Sequence, residues 1–228
     1  MIYFFADNHF GQHSGRVLWE QLPEAWRRRI RFVEDDWSLL ESGAWLEDCE
    51  LLVLHLIGGT SGMPMPGEGA ERAVRQWLER GGDFLLLHGS SAAFWPWAWW
   101  RPLAGLRWVR PGDPDGVPAS THPHAPCRIV PAKSRHPLAA RLRPVDLPED
   151  EIYIELEQTA PVDILMTTAV DGATWPQACE ATAPSGSRLV SLIPGHKPVC
   201  TSNPDLVANL AAMLEYLAPH GGAGGAGA

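Results

Sequence analysis

The stretch RGGDFLLLHGSSAAF, residues 80–94, decides how the chain is read. Gly81 or Gly82 supplies a left-handed stop for a preceding helix. DFLLLH is a continuous apolar run, as expected of a strand covered on both faces. HGSS is a small-residue turn leading into another helix. Many α/β enzymes present a nucleophile on such a strand–turn–helix, but here the turn carries His88 in place of Ser or Cys.

Upstream, GEGAERAVRQWLERGG places Ala70, Val74, Trp77 and Leu78 on one helical face. IYFFA (2–6), IRFVE (30–34) and CELLVLHLI (49–57) repeat the buried-strand pattern. Between the first two lies RVLWEQLPEAWRRR, a helical stripe that Pro23 breaks or restarts. A short helix is expected from about Asp36. Strand and helix alternate, which predicts a parallel sheet with helices on both faces. Ligands of such sheets sit beyond the carboxyl ends of the strands. That rule selects loops 7–13, 55–67 and 88–91, and each carries histidine.

The second half is less regular. PCRIVPA, EIYIELE, VDILMTTAV and SRLVSLIPG read as strands, and NPDLVANLAAMLEYLA closes the chain as an amphipathic helix capped by Asn203. Residues 110–126 form a long polar loop of the kind that is often functional. Residues 1–218 read as one domain. The Gly/Ala tail, 219–228, has nothing to bury and is expected to be disordered.

Composition narrows the function classes. Net charge is -9, and the only dense basic run, WRRRIR at 26–31, suits a helix end better than a phosphate backbone, so nucleic acid is not an expected partner. No segment approaches the ~18 apolar residues of a membrane span, and MIYFFADNHFG turns polar too soon for a signal peptide. Cys49, Cys127, Cys179 and Cys200 show no zinc spacing and read as free thiols of a reducing cytoplasm.

The turn at His88 resembles the nucleophile region of class I glutamine amidotransferase-like domains, with His88 where their Cys would stand. FLLLHGSSAAF, THPHAPCRIV with SRHPLAARL, LPEDEIYIELE, and SLIPGHKPVCTSNPDLVANLAAMLEYLA together resemble the signature blocks of the ThuA-like (trehalose utilisation) family. They stand in family order over residues 80–218; the first eighty residues agree only in layout. The resemblance implies a flavodoxin-like three-layer α/β/α sandwich with a mostly parallel sheet. It also implies a role around disaccharide or oxidised-sugar metabolism.

Residues and resemblance together single out a site. His88 titrates near neutrality when unperturbed, so it suits proton transfer or metal ligation. No cysteine lies in a strand–turn–helix context, which argues against glutamine hydrolysis, and Ser90 and Ser91 lack the G-x-S-x-G elbow. His196 follows Pro194 and Gly195 at a strand end. Glu151 and Tyr153, two apart on an expected strand, face one side. His122 has the family-like distance to His136 and Pro137, whereas His124 reads as solvated and His136 as the start of a short helix. The expected catalytic set is His88, His196 and Glu151, with His122, Tyr153 and Trp95 binding substrate; Asp7 and His9 could reach the same face. His88, His122, His196 and Glu151 would also suit a divalent metal such as zinc. The tract FWPWAWWRPLAGLRW supplies Trp95 and four further tryptophans, which pack the core or form a face for a second copy. The expected function is acid–base chemistry on a disaccharide, glycoside or keto-sugar. The rival is a non-catalytic sugar-binding or regulatory module on the same fold.

Overall fold

Alternate residues of the first strand settle both faces of the sheet. β1 (Ile2–Ala6) is buried throughout; Ile2, Phe4 and Ala6 enter one core, and Tyr3 and Phe5 enter the other. In this computed structural model, residues 1–59, 62–112 and 116–219 are described; residues 220–228 of the expected disordered tail lie outside them.

The chain continues through α1 (Ser14–Gln21), α2 (Glu24–Arg29), β2 (Ile30–Glu34), α3 (Ser38–Ser42), β3 (Leu51–His55), α4 (Glu68–Glu79) and β4 (Phe84–Leu87). After the short β5 (Leu106–Arg107) come β6 (His124–Pro131), β7 (Val145–Glu151), the short β8 (Glu157–Gln158), β9 (Val162–Val170), β10 (Ala173–Thr182) and β11 (Arg188–Leu192). Helices α5 (Pro198–Thr201) and α6 (Pro204–Leu217) complete it. Among the described residues, nine strands form one sheet in the order β2-β1-β3-β4-β11-β10-β9-β6-β7. The first five are mutually parallel, as alternation predicts, and the other four are antiparallel, so the sheet as a whole is mixed.

One core packs α1, α2 and α6 against the sheet through Leu18, Trp26, Leu206 and Leu210; the other packs α3 and α4 through Leu40, Val74 and Trp77. Each such side chain taken from water contributes about 1.5–3 kcal/mol. Pro23 does separate α1 from α2, with Leu22 extended before it. Gly81 takes the left-handed stop (φ 84), while Gly82 lies flat beneath Trp77, where a Cβ would fall 2.1 Å from the indole. Asn203 caps α6, its side chain accepting from the N–H groups of Asp205 and Leu206.

Two expectations for the second half change. The strand expected over EIYIELE lies earlier, ending at Glu151, with only a bridge at Ile154 and two paired residues at β8 beyond it. Pro148 is tolerated in β7 because β7 is an edge strand, where a missing N–H breaks no ladder. β10 was not anticipated, because Pro176 and its polar neighbours mask it. The ladder accommodates Pro176 with a register shift, and Asp171 and Gly172, both at positive φ, make a tight hairpin turn from β9. The tryptophan-rich tract is largely internal: Trp97 and Trp100 are buried beside Phe84 and Phe94. Among the described residues, no helix is long and apolar enough to cross a membrane, and the four cysteines are free.

Candidate active site

Four histidines meet at the carboxyl ends of the parallel strands. His9 follows β1, His55 ends β3, His88 follows β4 and His196 lies beyond β11; all four are buried. Their rings lie 5.1–6.1 Å apart between neighbouring centroids. The local backbone is forced to deliver them. His88 sits in the left-handed region (φ 51), unusual for a residue with a Cβ. Gly89 follows because a Cβ there would lie 2.5 Å from Ile57 Cγ2. Gly195 (φ 118) turns the chain before His196.

Hydrogen bonds set the ring states. His9 Nδ1 lies 2.6 Å from Asp7 Oδ1, and Asp7 Oδ2 accepts from the Ile57 N–H at 2.9 Å. A carboxylate only accepts, so Nδ1 carries a proton and turns Nε2, buried and without a hydrogen-bond partner, the other way. His88 Nδ1 faces the Ile193 carbonyl at 3.3 Å and must donate; its Nε2 therefore accepts from His196 Nδ1 at 3.2 Å. Burial, reinforced by the neighbouring histidines, holds His88 well below the usual imidazole range and His55 at about 3. Burial also lowers His196, against an upward pull from Glu151. Neutral rings result, the form that binds metal ions.

The opposite wall comes from the far edge of the sheet. Asp150 accepts from the Gly195 N–H (2.8 Å) and the His196 N–H (3.3 Å), tying the end of β7 to the loop after β11. Burial raises the Asp150 carboxyl, and these N–H groups offset part of that rise. Glu151 thereby enters the site. Its Oε2 accepts from the Tyr153 hydroxyl and lies 3.6 Å from His196 Nδ1. Burial, and then Glu151, push the Tyr153 phenol up, so it remains a donor. Its ring stands edge-on to His88 with centroids 5.2 Å apart.

A cleft of about 180 Å³ opens between these walls, lined by His88, Glu151, Tyr153 and His122 and rimmed by Phe10 and Trp108. The expected residues His88, His196, Glu151, Tyr153 and His122 are thus brought together, and Asp7 and His9 join them. Trp95 is not: its face is covered by Arg110 (4.3 Å), Arg101 (4.5 Å) and Arg107 (5.5 Å), and Trp108 takes the place at the cleft. The metal set expected from sequence is also divided. His9, not His122, completes a buried trio with His88 and His196 whose ligand atoms lie within 4.8 Å of one another. His122 groups with His124 and Glu151. Ser90 is committed to structure, its hydroxyl bonding to the Leu54 and Leu87 carbonyls and accepting from the Leu56 N–H. His136 stands apart beside Glu180, before the turn at Ala139–Arg141. His55 begins one of the three loops that the strand-end rule selects, but no role was expected of it.

Three buried imidazoles, one backed by a carboxylate, stand beside a cleft lined by His88 and Glu151, in an α/β domain whose site suits acid–base or metal-assisted chemistry. The chain belongs to the ThuA family, described as trehalose utilisation, whose profile it matches over residues 8–217. A ThuA-like protein from Parabacteroides merdae superposes with a TM-score of 0.72 at 17% identity, over 95% of this chain and 89% of that one. A second, from Bacteroides uniformis, gives 0.66 at 12% identity over 95% and 91%. A β-galactosidase from Bacillus circulans gives 0.55 at 10% identity, over 93% of this chain but 30% of its own. No curated protein sequence matches the chain.

Proposed function

We propose that the protein acts in carbohydrate metabolism on a disaccharide, glycoside or keto-sugar, using a divalent metal such as zinc at His9, His88 and His196 and proton transfer by Glu151. The flavodoxin-like, amidotransferase-type sandwich supplies the frame. The observation that carries the reading is the buried three-histidine cluster, with Asp7 behind His9 and Glu151 at the open side. Three imidazole ligands would leave a coordination position free, and a metal ion there would polarise a substrate oxygen. Glu151, hydrogen-bonded by Tyr153, is placed to move a proton within the cleft. Tyr153 and His122 offer hydroxyl-binding groups, and Phe10 and Trp108 offer flat faces for the apolar side of a sugar ring. The turn carries His88 in place of a thiol, which argues against the usual acyl-enzyme route of a glutaminase.

The test is incubation with a panel of disaccharides and their 3-keto derivatives, with Zn²⁺ or with chelator, read by mass spectrometry. Wild type should form product, His88→Ala none, and Glu151→Gln about 10²–10⁴-fold less. Sugar-induced thermal shifts without product would replace this reading with the non-catalytic binding module.

A further inference from the structure

The outer wall of the cleft holds a second group of ligating side chains. His122 and His124 flank Pro123 on a segment pinned to the 151–154 region. The Ile152 N–H donates to the Pro123 carbonyl at 2.9 Å, Thr121 and Ile154 exchange backbone bonds, and His124 pairs opposite Glu151. Both rings therefore face the Glu151 carboxylate. His124 Nε2 is 3.6 Å and His122 Nδ1 is 3.9 Å from the same oxygen, Oε1.

These separations are too long for hydrogen bonds. They are close to what a shared ion requires: with metal–ligand bonds of about 2.0–2.2 Å, tetrahedral neighbours stand about 3.3–3.6 Å apart. Small side-chain rotations close the difference, and the exposed positions of His122 and His124 permit them. The second Glu151 oxygen, Oε2, accepts from the Tyr153 hydroxyl and lies 3.6 Å from His196 Nδ1. One carboxylate thus presents one oxygen to each histidine group.

We propose that His122, His124 and Glu151 bind a second divalent cation, with Glu151 bridging it to the three-histidine site, so that the cleft is a two-metal centre. The site itself stands on its own three residues; only the bridging rests on the function proposed above. Two bridged cations fit a displacement at an oxygen-rich substrate, since one can hold the attacking oxygen and the other the leaving oxygen. The outer ion, held by two exposed imidazoles, exchanges with solvent more readily than the inner one.

Equilibrium dialysis of chelator-treated, full-length protein against Zn²⁺ tests this. The expected result is two zinc ions per chain in wild type, one in His124→Ala and one in His9→Ala, with Glu151→Gln weakening both about tenfold or more. His124 is exposed, so its variant folds, and His122→Gln provides a second route to the same loss. A single wild-type ion that survives His124→Ala and vanishes in His9→Ala overturns the second site and leaves the proposed function standing. A single ion lost in His124→Ala but kept in His9→Ala supports the outer site and removes the inner one. No bound zinc in wild type overturns both.

Discussion

Asp7 and His9 are joined at 2.6 Å through Oδ1 and Nδ1, and that contact fixes which nitrogen of His9 faces the site. Asp7 holds its own orientation through the Ile57 N–H. A residue two positions away thereby orients the His9 ring.

Replacing Asp7 with Asn tests this control. The amide would present a donor to Nδ1, moving the imidazole proton to Nε2 and blocking its lone pair. Zinc affinity should fall about 10–100-fold with the fold retained. A competitive chelator titration reads the change, and unaltered affinity would remove the orienting role.

Gly89→Ala should destabilise the protein by about 1–3 kcal/mol, because its methyl would meet Ile57 Cγ2 at 2.5 Å within the turn that carries His88. Ile57→Ala in the same chain opens the space and should restore much of the loss. Urea unfolding of the two single variants and the double variant measures the coupling; simple additivity would contradict the contact.

Ser90→Ala separates a structural hydroxyl from a nucleophile. The Leu56 N–H and two strand-end carbonyls lose their partner, which costs about 1–3 kcal/mol. Product formation per folded molecule should stay near wild type. A drop of several orders of magnitude without loss of stability would make Ser90 part of the chemistry.

The pH dependence of stability follows from His55. Its folded value, about 3, lies below the unfolded imidazole range near 6.5, so the folded state binds fewer protons between those limits. The contribution is complete above about pH 6.5 and is lost as pH falls toward about 3, at up to about 1.4 kcal/mol per pH unit. In chelator, the slope of unfolding free energy against pH should be shallower for His55→Leu than for wild type. Parallel curves would refute the assignment.

The parallel half was legible in the sequence because its signals are local. IYFFA and CELLVLHLI are apolar throughout, as strands covered on both sides must be. The rule that strand ends carry ligands then led to the loops bearing His9, His55 and His88. β10 was illegible because Pro176 and its polar neighbours imitate a loop, although Asp171 and Gly172 gave a hairpin signal. The exchange of Trp95 for Trp108 could not be read either: which indole reaches a cleft depends on three arginines whose positions only the tertiary structure sets. The pairing of His122 with His124 depends likewise on the β6–β7 register.

Asp150 ties the outermost strand back to the loop beyond β11, and that tether has a consequence for the order of events during folding. The inner trio draws on residues as far apart along the chain as His9 and His196, and Glu151 ends β7, the outermost strand of the sheet. A nascent chain emerging amino-terminus first holds Asp7 and His9 long before His196 exists. Contacts so distant along the chain form slowly, because the intervening polypeptide must first be ordered. The histidine cluster is therefore a property of the finished molecule, and a half-folded chain carries isolated histidines but no cluster.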